Sequence, residues 1–203
     1  TCCLALASMS TATPTAFAQQ LPKGISVTQL QPGVSAISAD SGNWGGESQG
    51  TSHQNQDLYI TEKTLFVPEG ALAGVREARL RVFMALFDNS GGKNGLDESF
   101  VLTINGKPHV IPTNDPSLPG AKWQWHDITI PVEELRTGNN VFSFAKSHSE
   151  KNDDYLYIGI AIPGSYGLSR MSLDGGKTWS TSSLNTIKAT GEYMVQLLLL
   201  KES

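Results

Sequence analysis

The chain has 203 residues, a formal net charge of -4 and only five arginines, so it offers no basic field for nucleic acid or anionic lipid. Its two cysteines, Cys2 and Cys3, both stand at the start, which leaves the rest without a disulfide framework or thiolate chemistry. A domain of this length buries roughly 70% of its unfolded surface, so one core is enough.

Residues 1–18, TCCLALASMSTATPTAFA, carry no charge and end in Ala16-Phe17-Ala18, an A-x-A signal-peptidase pattern. They read as a truncated export signal, which predicts a secreted or periplasmic protein. Most of the apolar residues follow Cys2 and Cys3, whereas a lipobox cysteine comes after them. Pro14 and the Ser/Thr content interrupt a run already short of the roughly 20 residues of a membrane span. No transmembrane segment is therefore expected in the mature chain. Residues 19–32 read as an N-terminal extension, and 33–203 as one domain.

The next segment contains Trp44 to Gly50, WGGESQG, in which Gly46-Glu47-Ser48-Gln49-Gly50 matches the G-x-S-x-G nucleophile elbow. That elbow needs a strand before the serine and a helix after it. Ser48 instead lies in a polar, glycine-rich run, and few strands precede it. The flanks predict a loop, and Ser48 is expected not to be a nucleophile.

Short alternating or apolar runs then recur between turn signals: GVSAISA, DLYITEKTLFVP, ARLRVFMALF, SFVLTING, HVIP, HDITIPV, NVFSFA, DYLYIGIAIP and GEYMVQLLLL. Period-2 alternation and β-branched content make these strands. In the third run Ala78, Leu80, Val82, Met84 and Leu86 alternate with arginines and bulkier residues, which favours a strand over the helix that its Ala, Leu and Arg content would support. Asn105-Gly106 is a hairpin turn signal, and TGNN at 137–140 marks another turn. The leucines of VQLLLL fit a central strand. About nine strands without a sustained helix predict an all-β fold, a β-sandwich of jelly-roll type.

Three stretches, FVLTINGKPHVIP, WQWHDITIPVEELRTGNNVFSFAKS and DDYLYIGIAIP, carry a further signal. With their ING hairpin, W-x-W-x-D-I-T-I-P strand and L-x-x-G-x-N turn, they resemble the galactose-binding-like jelly-roll modules of carbohydrate-binding proteins and glycosidase accessory domains. The resemblance covers roughly residues 98 to 163, about a third of the chain. It implies a polysaccharide or glycan partner, and often a calcium ion that pins a terminal loop. Calcium requires oxygen donors, and the candidates are Asp153, Asp154 and Asp57. SLDGGKTW at 172–179 matches the Asp-box of sialidases and other secreted β proteins through Ser172, Asp174, Gly176, Thr178 and Trp179. It is expected to be an architectural turn, because one box and five arginines do not make a sialidase.

A pyranose lays its C–H face on an aromatic ring while short polar groups bond its hydroxyls. Trp44, Trp123 and Tyr155, helped by Asn43 and Glu47 and by Asp153 and Asp154, are the candidates for that role; Trp125 and Tyr166 are weaker ones. Trp123 and Trp125 lie two apart and face one side of an extended segment, Trp125 being read as the more buried. The histidines, His53, His109, His126 and His148, show no metal spacing. Three readings stay open: a non-catalytic carbohydrate-binding protein, an interaction domain that meets an envelope or surface protein, and a small hydrolase or lyase. Exposed rings favour the first, an extended apolar patch the second, and a pocket joining nucleophile and base the third.

Overall fold

A computed structural model describes residues 20–44, 52–55, 58–91, 93–113, 122–147, 153–162, 164–186 and 188–202, with the backbone alone at 52–55. Among these residues thirteen strands form two antiparallel sheets. The first sheet runs β1 (Ser26–Gln31), β2 (Val34–Ser38), β13 (Val195–Lys201), β5 (Val75–Asp88), β10 (Asp154–Ala161) and β12 (Glu192–Tyr193). Two more strands join it, β8 (Gln124–Ile130) on β5 and β3 (Ser52–Asn55) on β10. The second sheet runs β11 (Ser169–Ser172), β4 (Ile60–Val67), β9 (Gly138–Lys146), β6 (Phe100–Ile104) and β7 (Lys107–Ile111). The fold is a β-sandwich, compatible with a jelly roll.

Alternation places the core. Leu80, Val82, Met84 and Leu86 of β5, Leu156, Ile158 and Ile160 of β10, and Leu197 and Leu199 of β13 turn inward. They meet Leu65, Leu102, Phe142 and Phe144 of the second sheet. Each of these side chains is at most 2% exposed, and burying one contributes roughly 1.5–3 kcal/mol. The period-2 rule then forces the residues between them outward, and on β5 and β10 those residues are aromatic.

The nine runs expected from sequence become thirteen strands for local reasons. β1, all six residues exposed, lies in the stretch read as an N-terminal extension and pairs with β2. β3 and β11 are four-residue strands with polar sequences, SHQN and SRMS. The run GEYMVQLLLL divides at Met194, whose N–H donates to the Gly159 carbonyl on β10 while its own carbonyl accepts from Phe83 of β5.

The hairpin and turn of the resembling stretches are joined to each other. Asn105 (φ 50°) and Gly106 (φ 90°) form the two-residue turn between β6 and β7, a left-handed pair that Asn-Gly tolerates. Asn105 Nδ2 donates to Asn140 Oδ1 at 2.9 Å, and Asn140 Oδ1 also accepts the Arg136 N–H at 2.9 Å. Asn140 is fully buried, so its amide stands in for backbone partners that the bend leaves open.

An ion pair links the sheets. Lys63 of β4 reaches Glu192 of β12 at 2.8 Å, the two side chains being 0% and 1% exposed. The other carboxylate oxygen of Glu192 accepts the N–H groups of Tyr166 and Leu168. Burial pushes the Lys63 ammonium below its ordinary pKa, against the opposing effect of Glu192.

Candidate functional site: an aromatic sheet face

The outer face of the first sheet carries seven aromatic side chains. Phe83 and Phe87 project from β5, Tyr155 and Tyr157 from β10, and Trp125 from β8, with Trp123 just before β8 and Trp44 bridged to Ala161. Register brings them together: Phe83 is opposite Trp125, Ala85 opposite Tyr157, and Phe87 opposite Tyr155. Cross-strand neighbours lie close enough for their rings to meet, as Phe83 and Trp125 do.

Trp44 and Trp123 lie 5.2 Å apart between centroids at 34°, and Phe83 stacks on Trp123 at 5.6 Å and 25°. Trp44 and Trp125 both tilt against Phe83, at 5.4 Å and 5.5 Å. Edge contacts continue the array from Trp123 to Tyr157 at 6.2 Å, and from Tyr157 to Phe87 and Tyr155. Each favourable pair adds about 0.5–1.5 kcal/mol beyond area burial. All seven side chains are half-buried. The small residues Ala85, Gly159 and Ala161 form the floor beneath them. Burial pushes the Tyr157 hydroxyl up from its ordinary pKa.

Two sequence candidates, Trp44 and Trp123, thus share one contact, and Tyr155 stands at the far end of the same array. Asn43 is exposed beside Trp44, its carbonyl accepting from the Ile162 N–H at 3.2 Å. Glu47, Ser48, Asp57, His148 and the segment 1–18 lie outside the described residues. Trp125, read as the more buried tryptophan, is half-buried on the same face as Trp123. Phe83, Phe87 and Tyr157 were not singled out from sequence. Their signal was available in the odd positions of β5 and β10, once the even positions were assigned to the core.

Beyond the rings the outer face turns polar and then aliphatic. Arg81 grips Asp127 across β5 and β8 through two bonds, Nε to Oδ1 at 2.7 Å and Nη2 to Oδ2 at 3.0 Å. That hydrogen bonding holds the Asp127 carboxyl below the usual carboxylate range. Past this pair, Leu30, Val34, Leu198 and Leu200 line a groove of about 280 Å³ edged by Arg79 and Arg81.

A second cluster sits at the end of the aromatic face. Asp154 opens β10 with Asp153 just before it, and Asp97 comes from the loop after β5; one carboxylate oxygen from each lies within 4.8 Å of the others. Asp154 Oδ2 accepts the N–H groups of Asp97 and Glu98, both at 2.7 Å. Burial raises the Asp154 pKa. Glu98 in turn bonds Lys146 at 2.7 Å and the Asp154 N–H at 2.7 Å.

The SLDGGKTW turn is hydrogen-bonded within itself. Asp174 accepts the Thr178 N–H at 2.8 Å, the Thr178 hydroxyl at 2.7 Å and the Ser172 hydroxyl at 2.8 Å. Ser172 accepts the Gly176 N–H at 2.8 Å, and Trp179 donates to the Gly176 carbonyl at 3.1 Å. Gly175 and Gly176 have positive φ, and the Arg170 guanidinium lies 4.3 Å over Trp179. These bonds use the motif side chains to close the turn.

Ser169 stands 3.2 Å from Lys63, a serine–base pair in form. Both residues are at most 1% exposed, so no substrate reaches the hydroxyl. His109 bonds Glu134 at 2.8 Å, His126 is buried, and Tyr166 is exposed over Gly24. Among the described residues no helix is long and apolar enough to cross a membrane.

Comparison of the chain with protein-family models and with curated proteins gives no match. What the aromatic face can do follows from its own chemistry.

Proposed function

We propose that the protein is an exported, non-catalytic carbohydrate-binding β-sandwich of the galactose-binding-like jelly-roll type, and that the outer aromatic face of the first sheet is its glycan site. One observation carries this reading: seven aromatic side chains, including three of the four tryptophans, stand half-buried on the solvent side of a sheet whose core face is already filled. Core packing does not need them there. Indole and phenol rings supply broad apolar faces for sugar C–H groups, while Asn43, the Tyr155 hydroxyl and the Arg81–Asp127 pair provide polar groups around them. The resemblance of residues 98 to 163 to carbohydrate-binding modules supports the same assignment.

The test is a titration of the full chain with soluble neutral and acidic polysaccharides, read by tryptophan emission and affinity electrophoresis. A glycan on this face changes the environment of Trp44, Trp123 and Trp125, so emission shifts with the same midpoint as the mobility. A panel with no binder, combined with capture of an envelope protein that Trp44→Ala abolishes, would transfer the face to protein recognition.

A further inference from the structure

We infer that Asp40 is an acid-sensitive latch for the aromatic face: with its carboxyl protonated, the loop from Ala39 to Trp44 is held as described, and with it ionised, Trp44 is released from the array. The inference concerns where Trp44 stands and does not rest on what the face binds.

Its first support is a count of charges. Among the described residues the charges that act on Asp40 are Lys63 of β4, which favours its ionisation, and Glu192 of β12, which opposes it. One ammonium thus faces two carboxylates, and the group carries an excess negative charge when all three are ionised. Lys63 has no donor left for Asp40. Its Nζ donates to Glu192 Oε2 at 2.8 Å, to Ser169 Oγ at 3.2 Å and to the Ala39 carbonyl at 3.5 Å.

The second support is an orphaned oxygen. Asp40 Oδ1 accepts the Gly42 N–H at 2.8 Å, while Oδ2 is buried without a hydrogen-bond partner. From β13 the carboxyl meets the uncharged Gln196. A buried carboxylate oxygen without a donor is costly, and a proton removes the charge that makes it so. Burial accordingly raises the Asp40 pKa above the ordinary 3.8, with Glu192 adding to the rise and Lys63, the Gly42 N–H and Gln196 opposing it.

The third support is the path from Asp40 to the rings. The Asn43 N–H donates to Ser41 Oγ at 3.3 Å, Ser41 Oγ donates to the Ile162 carbonyl at 3.4 Å, and the Ile162 N–H donates to the Asn43 carbonyl at 3.2 Å. All three bonds are long. Trp44 follows directly, bridged to Ala161 and in contact with Phe83 and Trp123. An ionised Asp40 draws water toward its carboxyl, and these weak bonds are the ones that yield.

The test is nuclear magnetic resonance on the full chain, with the Asp40 carboxyl carbon and the Trp44 indole N–H assigned in the unaltered protein. Trp44 Nε1 is buried without a hydrogen-bond partner, so its resonance shifts when water reaches it. As pH is raised from the acid side, the Asp40 carbon is expected to titrate with a midpoint above 3.8, and the Trp44 resonance to move with the same midpoint. A carboxyl raised in the folded state adds stability that is complete below its unfolded pKa and is lost as pH rises through the folded one. Asp40→Asn keeps an acceptor for Gly42 and stays uncharged. Its Trp44 resonance should hold the acid position throughout, and its urea midpoint should not share the fall of the unaltered chain over that interval. A midpoint at or below 3.8 in the unaltered chain would overturn the latch, as would a Trp44 resonance that stays still while Asp40 titrates. Both readings need no variant. A folded Asp40→Asn chain whose Trp44 resonance still moves with pH would overturn it as well.

Discussion

Phe83 of β5 lies directly over Gly159 of β10: a β-carbon at 159 would stand 2.7 Å from the Phe83 ring and 3.2 Å from the Met194 sulfur. Gly159 is required here for close approach, since no positive φ constrains it. Phe83 is also the ring on which Trp44, Trp123 and Trp125 converge. Gly159→Ala should therefore displace Phe83 and disturb the array above it, at a cost of about 1–3 kcal/mol for overpacking. Urea denaturation measures the loss, and near-ultraviolet circular dichroism should change with it. A variant with unchanged midpoint and aromatic spectrum would show that the ring has room to move.

Trp123→Ala separates the two uses of the array. The ring contacts Trp44, Phe83 and Tyr157, so its removal should cost stability by about 1–2 kcal/mol, less than the 3–5 kcal/mol of a fully buried tryptophan. If sugar stacks on it, binding should weaken by a further 1–3 kcal/mol, roughly the range for aromatic stacking. Calorimetric titration with a bound polysaccharide, well below the melting temperature, isolates the second effect. Full affinity in the folded variant would remove Trp123 from the site.

The legible parts of the fold were those where a core face imposes alternation. On β5 the run Leu80, Val82, Met84, Leu86 gives the strand and its inward side, and Asn105-Gly106 gives the hairpin. β3 and β11 were illegible because they carry no apolar alternation; they exist because β10 and β4 offer edges to pair with. The same limit applies to the site. Trp44 and Trp123 could be named as aromatic residues near loops, but their contact depends on Trp44 bridging to Ala161, a pairing across more than a hundred residues. Asp97 joins Asp153 and Asp154 only through the return of β10 alongside β5. Local chemistry supplied the residue types, and non-local pairing decided which of them meet.

The Lys63–Glu192 pair should be strongly asymmetric to mutation. Lys63→Met leaves the Glu192 carboxylate buried with only hydroxyl and amide donors, and removes the positive charge that partly offsets the burial which raises the Asp40 pKa. Breaking such a pair from one side costs about 3–5 kcal/mol. Adding Glu192→Gln should restore part of the loss, because the remaining charge is then gone while an acceptor for Tyr166 and Leu168 is kept. Chemical denaturation of the two variants checks both statements. A single substitution costing less than about 1 kcal/mol would place the pair among ordinary surface ion pairs.

Asp174 should give the SLDGGKTW turn a pH dependence of definite sign. Hydrogen bonds from the Thr178 N–H and hydroxyl, then from the Ser172 hydroxyl, favour the ionised carboxyl and hold its pKa at about 2, below the ordinary 3.8. A carboxyl depressed in the folded state adds stability that is fully present above its unfolded pKa and is lost as pH falls through the folded one. The window thus runs from 3.8 down to about 2. Asp174→Asn keeps an acceptor for Thr178 but removes the charge, so this contribution is missing from the variant at every pH. Melting temperatures of the two proteins should differ at neutral pH and converge as the solution is acidified through that window. A difference that stays constant down to pH about 2 would mean that the carboxylate charge is not what closes the turn.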